Sequence, residues 1–91
     1  MQTNELISWI KRGKNRKKVF LCVEKQILPS EIVEQIFQRQ GRKAIPDYAI
    51  VSRALGELKQ EKLVKLTVSE NVKTGRTYTL TSLGKKIREA L

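Results

Sequence analysis

A chain of 91 residues, 40% hydrophobic and 31% charged, has material for one domain with one core; at this length only about two thirds of the unfolded surface is buried, which excludes a second core. The 19 Lys and Arg against 9 Asp and Glu leave a net charge of +10 and a pI near 10.1, an excess that attracts polyanions and makes nucleic acid or an anionic membrane surface the leading partners. No apolar run approaches the roughly 20 residues needed to span a bilayer, and the start, MQTNELISWIKRGK, lacks the basic-then-apolar order of a signal peptide, so a cytoplasmic protein is expected.

In chain order, Thr3 or Asn4 is the expected cap of a first short helix carrying Leu6, Ile7, Trp9 and Ile10, with Gly13 as its punctuation. From Lys11 to Lys18 six of eight residues are basic. This block opens a second helix, where cations oppose the positive end of the macrodipole by a few tenths of a kcal/mol per charge. That opposition favours a phosphate-facing role for Lys14, Arg16 and Lys17 over a merely solvated face. Val19, Phe20, Val23 and Ile27 are its core positions, and Cys22 beside them reads as a small core hydrophobe. Pro29 and Glu31 suit the first turn of a third helix with Ile32, Val33, Ile36 and Phe37 as its apolar stripe, fading by Gly41.

Ile45 precedes a proline and is expected to be extended. Asp47 then reads as the N-cap of the longest helix, about residues 47–61, in which Val51, Ala54, Leu55 and Leu58 recur on one face. The period changes at Leu63. Leu63 to Val68 and Thr77 to Thr81 are short alternating, β-branched runs around turn residues from Asn71 to Gly75, so a hairpin is expected over about residues 63–81. Thr81 or Ser82 caps a last helix, Leu83 to Leu91, with Leu83, Ile87 and Leu91 on one stripe. The two terminal apolar faces pack on each other or on a second copy of the chain.

The fold class expected is mainly α with a two-stranded β-hairpin wing, a winged helix-turn-helix domain over residues 1–91. A helix fits the roughly 12 Å major groove, and a hairpin beside it reaches phosphates or the minor groove. The run Val51-Ser52-Arg53-Ala54-Leu55-x-x-Leu58, then Leu63-Val64, then Gly75-Arg76-x-Tyr78-x-Leu80-Thr81-x-x-Gly84-Lys85 resembles the family of small archaeal and bacterial winged-helix transcription regulators. Ser8-Trp9-Ile10-Lys11-Arg12-Gly13-Lys14-x-Arg16 is similar to the start of an archaeal branch of it. The resemblance implies duplex DNA binding, commonly as a homodimer, with residues 47–61 as recognition helix and Glu70 to Arg76 as wing tip. It also implies a glycine just before the Leu-Val of the wing. Lys62 stands there instead, able to take the left-handed conformation at a cost of about 1 kcal/mol.

On the recognition helix Ser52, Arg53, Tyr48 and Glu57 are the candidate base readers. Ala49 and Ile50 hold early positions where polar readers are common; Ile50 either meets thymine methyls or packs. Arg53 either bonds guanine, clamps phosphate or pairs with Glu57 four residues on. Tyr48 is either a buried helix-start aromatic or a DNA contact. Arg42 and Lys43 before the helix, and Lys73 and Arg76 on the wing, complete the candidate DNA contacts. With no histidine, one cysteine and no phosphate-cradling glycine loop, no enzyme, metal site or cofactor is expected. A winged-helix protein-interaction module and an RNA-binding domain are the alternatives.

Overall fold

The computed structural model describes residues 2–37, 45–68 and 75–91. Five helices and one hairpin follow in the order α1 (Thr3–Arg12), α2 (Lys14–Cys22), α3 (Pro29–Phe37), α4 (Ile45–Gln60), β1 (Val64–Leu66), β2 (Tyr78–Leu80) and α5 (Ser82–Ala90). This is the expected winged helix-turn-helix layout. No helix among the described residues is long and apolar enough to cross a membrane.

One core takes a stripe from each helix. Leu6 and Ile10 of α1, Val19 and Phe20 of α2, Ile32 and Val33 of α3, Val51, Ala54, Leu55 and Leu58 of α4, and Ile87 of α5 are buried together with Leu63, Val64 and Leu80 of the hairpin. Fully burying one such Leu, Ile or Phe is worth about 1.5–3 kcal/mol, so the three- and four-residue spacing dictates which face of each helix turns inward. Helix α2 packs along α4 and α3 packs beside it, while α1 packs on both α2 and α5. The two terminal stripes therefore meet inside one protomer, and of α5's large apolar side chains Leu83 is left exposed.

Several boundaries differ from expectation. Helix α1 starts at Thr3 after Gln2, whose side chain makes no cap hydrogen bond; Thr3 is already helical and cannot serve as the cap. Ile45 is helical, not extended, and Asp47 lies in the first turn of α4 instead of at its N-cap, buried at 5% exposure. Proline is well accommodated in a first turn, where its missing N–H has no helical partner to lose, and here that preference outweighs the bias on the residue before it. The strands are shorter than the runs that announced them, three residues each, and α5 begins one residue earlier than expected.

Helix α4 is closed by Lys62, which stands where glycine was expected. Lys62 has φ of 63°, its N–H bonds the Lys59 carbonyl at 2.9 Å, and the Leu63 N–H bonds the Leu58 carbonyl at 3.0 Å. This paired closure satisfies carbonyls that the helix end leaves open, with Leu63 and Leu58 both buried in the core. The left-handed turn thus forms with lysine, as expected, and delivers the chain straight into β1.

The hairpin pairs antiparallel in the register Val64–Leu80, Lys65–Thr79 and Leu66–Tyr78. Its root is braced by the α2–α3 connection. Ile27 and Tyr78 exchange backbone hydrogen bonds, Tyr78 N–H to Ile27 at 2.8 Å and Ile27 N–H to Tyr78 at 3.0 Å. Beside them Gln26 Nε2 donates to the hydroxyls of Thr77 at 2.8 Å and Thr67 at 3.2 Å, and those two hydroxyls bond each other. The direction in which the wing leaves the core is set here.

Candidate nucleic-acid interface

Opposite the buried stripe of α4, the residues Ala49, Ser52, Arg53, Gly56 and Gln60 are exposed. They recur at three- and four-residue spacing, as one face of a helix must. Arg53 and Ser52 are therefore where a groove-facing side chain would stand. Ala49 shares that face, and a Cβ on Gly56 would meet open space, so the middle of the face is shallow. Ile50 is half-buried; Tyr48 is also half-buried and packs against the core.

The start of α2 borders this face. Lys14, Asn15 and Arg16 line a groove together with Ile50, Arg53 and Glu57 of α4. Lys14 and Lys17 are exposed, and α2 has no acidic residue in its first turn. Lys14 and Arg16 of the basic block thus border α4, a juxtaposition of residues more than thirty positions apart that no local pattern announces.

Arg16 differs from its neighbours. Its guanidinium lies 4.0 Å from the Trp9 ring centroid, donates to the Trp9 carbonyl and reaches Glu57 Oε2 at 3.4 Å. Arginine over an aromatic face is favourable by about 0.5–2 kcal/mol depending on solvent access. Arg16 was expected among the phosphate contacts; its terminal nitrogens are engaged inside the protein. Glu57 likewise pairs with Arg16 and not with Arg53, so among the described residues the Arg53–Glu57 ion pair does not form and the Arg53 side chain projects outward.

On the wing, Arg76 is half-buried just before β2, and Lys65 is exposed on β1. The expected contacts Arg42, Lys43 and Lys73 lie outside the described residues. Gln26 was missed as the wing's brace because its partners stand 41 and 51 positions away, beyond the reach of any periodicity.

No family profile and no curated protein sequence matches the chain. Among solved structures it is similar to TubR bound to 24 bp of tubC from Bacillus thuringiensis serovar israelensis pBtoxis, with a TM-score of 0.74 over 99% of this chain and 91% of that one, at 17% identity. The winged-helix fold is shared over essentially the whole length.

Proposed function

We propose that the chain is a double-stranded DNA-binding protein that regulates transcription, with α4 in the major groove and the wing on the backbone or in the minor groove. The observation that carries this reading is the exposed Ser52–Arg53 face of α4 bordered by Lys14 at the start of α2. A shallow helix face flanked by cations suits a groove walled by phosphates. Likeness of fold to TubR, a protein solved on 24 bp of tubC, supports it.

In this reading Lys14 and Lys17 hold phosphates, joined by Arg42, Lys43, Lys73 and Arg76, while Arg53 and Ser52 read bases. Phosphate contacts position and base contacts specify. With two polar readers on α4, positioning outweighs sequence reading. The homodimer expected from the terminal helices belongs to the same reading, narrowed to the exposed Leu83 on α5 because Leu6, Ile10 and Ile87 are already buried within the protomer.

Competition of a labelled duplex by unlabelled duplex, by RNA and by an acidic protein tests the class of partner. Displacement by DNA at the lowest concentration is expected; preferential displacement by RNA or protein contradicts the proposal. Selection from random duplexes then tests sequence preference, with a palindrome expected if the chain binds as a dimer.

A further inference from the structure

Trp9, Gly13 and Arg16, all within the run from Ser8 to Arg16, form one device aimed at α4. The Arg16 side chain folds back over Gly13, where an added Cβ would lie 2.8 Å from Arg16 Cβ and Nη1. Glycine leaves the space that lets the guanidinium reach the Trp9 carbonyl and lie 4.0 Å from the ring centroid. Held there, it meets Glu57 Oε2 at 3.4 Å, with 17% of the Arg16 side chain and 41% of the Glu57 side chain exposed.

Glu57 is out of place on a DNA-facing helix. Of the two acids in α4, Asp47 is buried and Glu57 reaches solvent. It lines the same groove as Lys14 and Arg53. A bare carboxylate there would repel the phosphates those cations attract. A half-exposed ion pair contributes little to stability, so fold stability is a weak reason for tying Arg16 to it.

Resting on the DNA reading of α4, we propose that Arg16 is a positioning residue that masks the charge of Glu57 and sets α4 against the α1–α2 turn, and is not itself a phosphate contact. Arginine suits the task because its planar face stacks on Trp9 while its forked donors reach the carboxylate. Whether Arg16 masks or binds has opposite consequences for variants of its partner. If it masks, removing the Glu57 charge relieves the need for it; if it binds phosphate, removing Glu57 relieves nothing.

The experiment is a double-mutant cycle on Arg16→Gln and Glu57→Gln. It is read as affinity for a fluorescein-labelled mixed-sequence DNA duplex at low ionic strength, with thermal melting and far-ultraviolet circular dichroism as folding controls. Arg16→Gln is expected to weaken binding about tenfold, Glu57→Gln to tighten it about threefold, and the double variant to return to within about twofold of wild type, because like charges left facing each other at an interface are strongly unfavourable. A double variant as weak as Arg16→Gln alone overturns the inference, as does an Arg16→Gln variant that binds like wild type. Should Arg16→Gln fail to fold, Arg16→Met takes its place in the same cycle and is read by the same outcomes. A folded wild-type protein that binds no duplex overturns the DNA reading itself, which separates that failure from failure of the mask.

Discussion

Gly84, in the first turn of α5, stands against the Leu63 carbonyl so closely that a Cβ would be driven into its oxygen and would also lie 3.2 Å from Leu80 Cδ2. Thr81 completes the junction. Its hydroxyl donates to the Lys62 carbonyl at 2.6 Å and accepts from the Gly84 N–H at 2.9 Å, while its own N–H bonds the Leu63 carbonyl at 3.1 Å. The end of the candidate recognition helix, the start of the wing and the cap of α5 are thus one hydrogen-bonded knot. The sequence signature Leu80-Thr81-x-x-Gly84 is its local trace.

Replacing Gly84 by alanine forces that knot apart. The backbone oxygen it meets has no rotamer by which to move away, so a loss of about 2–3 kcal/mol is expected, at the upper end of the overpacking range. Urea unfolding monitored by circular dichroism measures it. A loss below about 0.5 kcal/mol, the ordinary surface value, contradicts the close approach.

Lys62 gives the opposite sign. It holds φ of 63° where glycine carries no Cβ penalty, so Lys62→Gly should stabilise the fold by about 1 kcal/mol. The side chain is exposed and its removal leaves no cavity. An unchanged or lowered unfolding midpoint counts against the left-handed closure of α4.

Cys22 packs half-buried against the core. Burial first, and the Glu24 carboxylate second, push its thiol up from the ordinary value, which lowers its thiolate fraction near neutrality. Because the folded pKa exceeds the unfolded one, the stability this group contributes is complete below the unfolded pKa and is lost as pH rises through the folded value. Alkylation of the folded protein is expected to be slower than that of the urea-unfolded chain at the same mildly alkaline pH. Equal rates would mean an open, ordinary thiol.

Arg53 is a candidate base reader with an exposed side chain. In binding-site selection, Arg53→Ala should relax preference at one base position, with a discrimination loss of about 1–3 kcal/mol. Uniform weakening across all sequences would make it a phosphate clamp.

Much of this arrangement is legible along the chain because it rests on local rules. Val51, Ala54, Leu55 and Leu58 turn inward because their spacing leaves α4 no other apolar face. Alternation at Leu63 and again at Tyr78 marks the strands. What escapes is set by distance in sequence. The Ile27–Tyr78 bridge, the Gln26 brace and the Arg16–Glu57 pair join residues 41 or more positions apart, and each carries side-chain chemistry that is ordinary when seen alone. Ile45 escapes for another reason. Two local preferences of proline oppose each other there, and the one for a helical first turn prevails. The placement of Arg16 escapes as well: six basic residues in eight look interchangeable until one of them folds back over Gly13.

The most direct test of DNA binding through these cations is the salt dependence of duplex affinity. If the basic groups neutralise about six to ten phosphates, affinity should fall about 10³–10⁵-fold between about 50 and 200 mM salt. Parallel loss on mixed and selected sequences, with a slope that becomes shallower by about one on Lys14→Ala, is the predicted result. Affinity that is flat across that range would contradict the account.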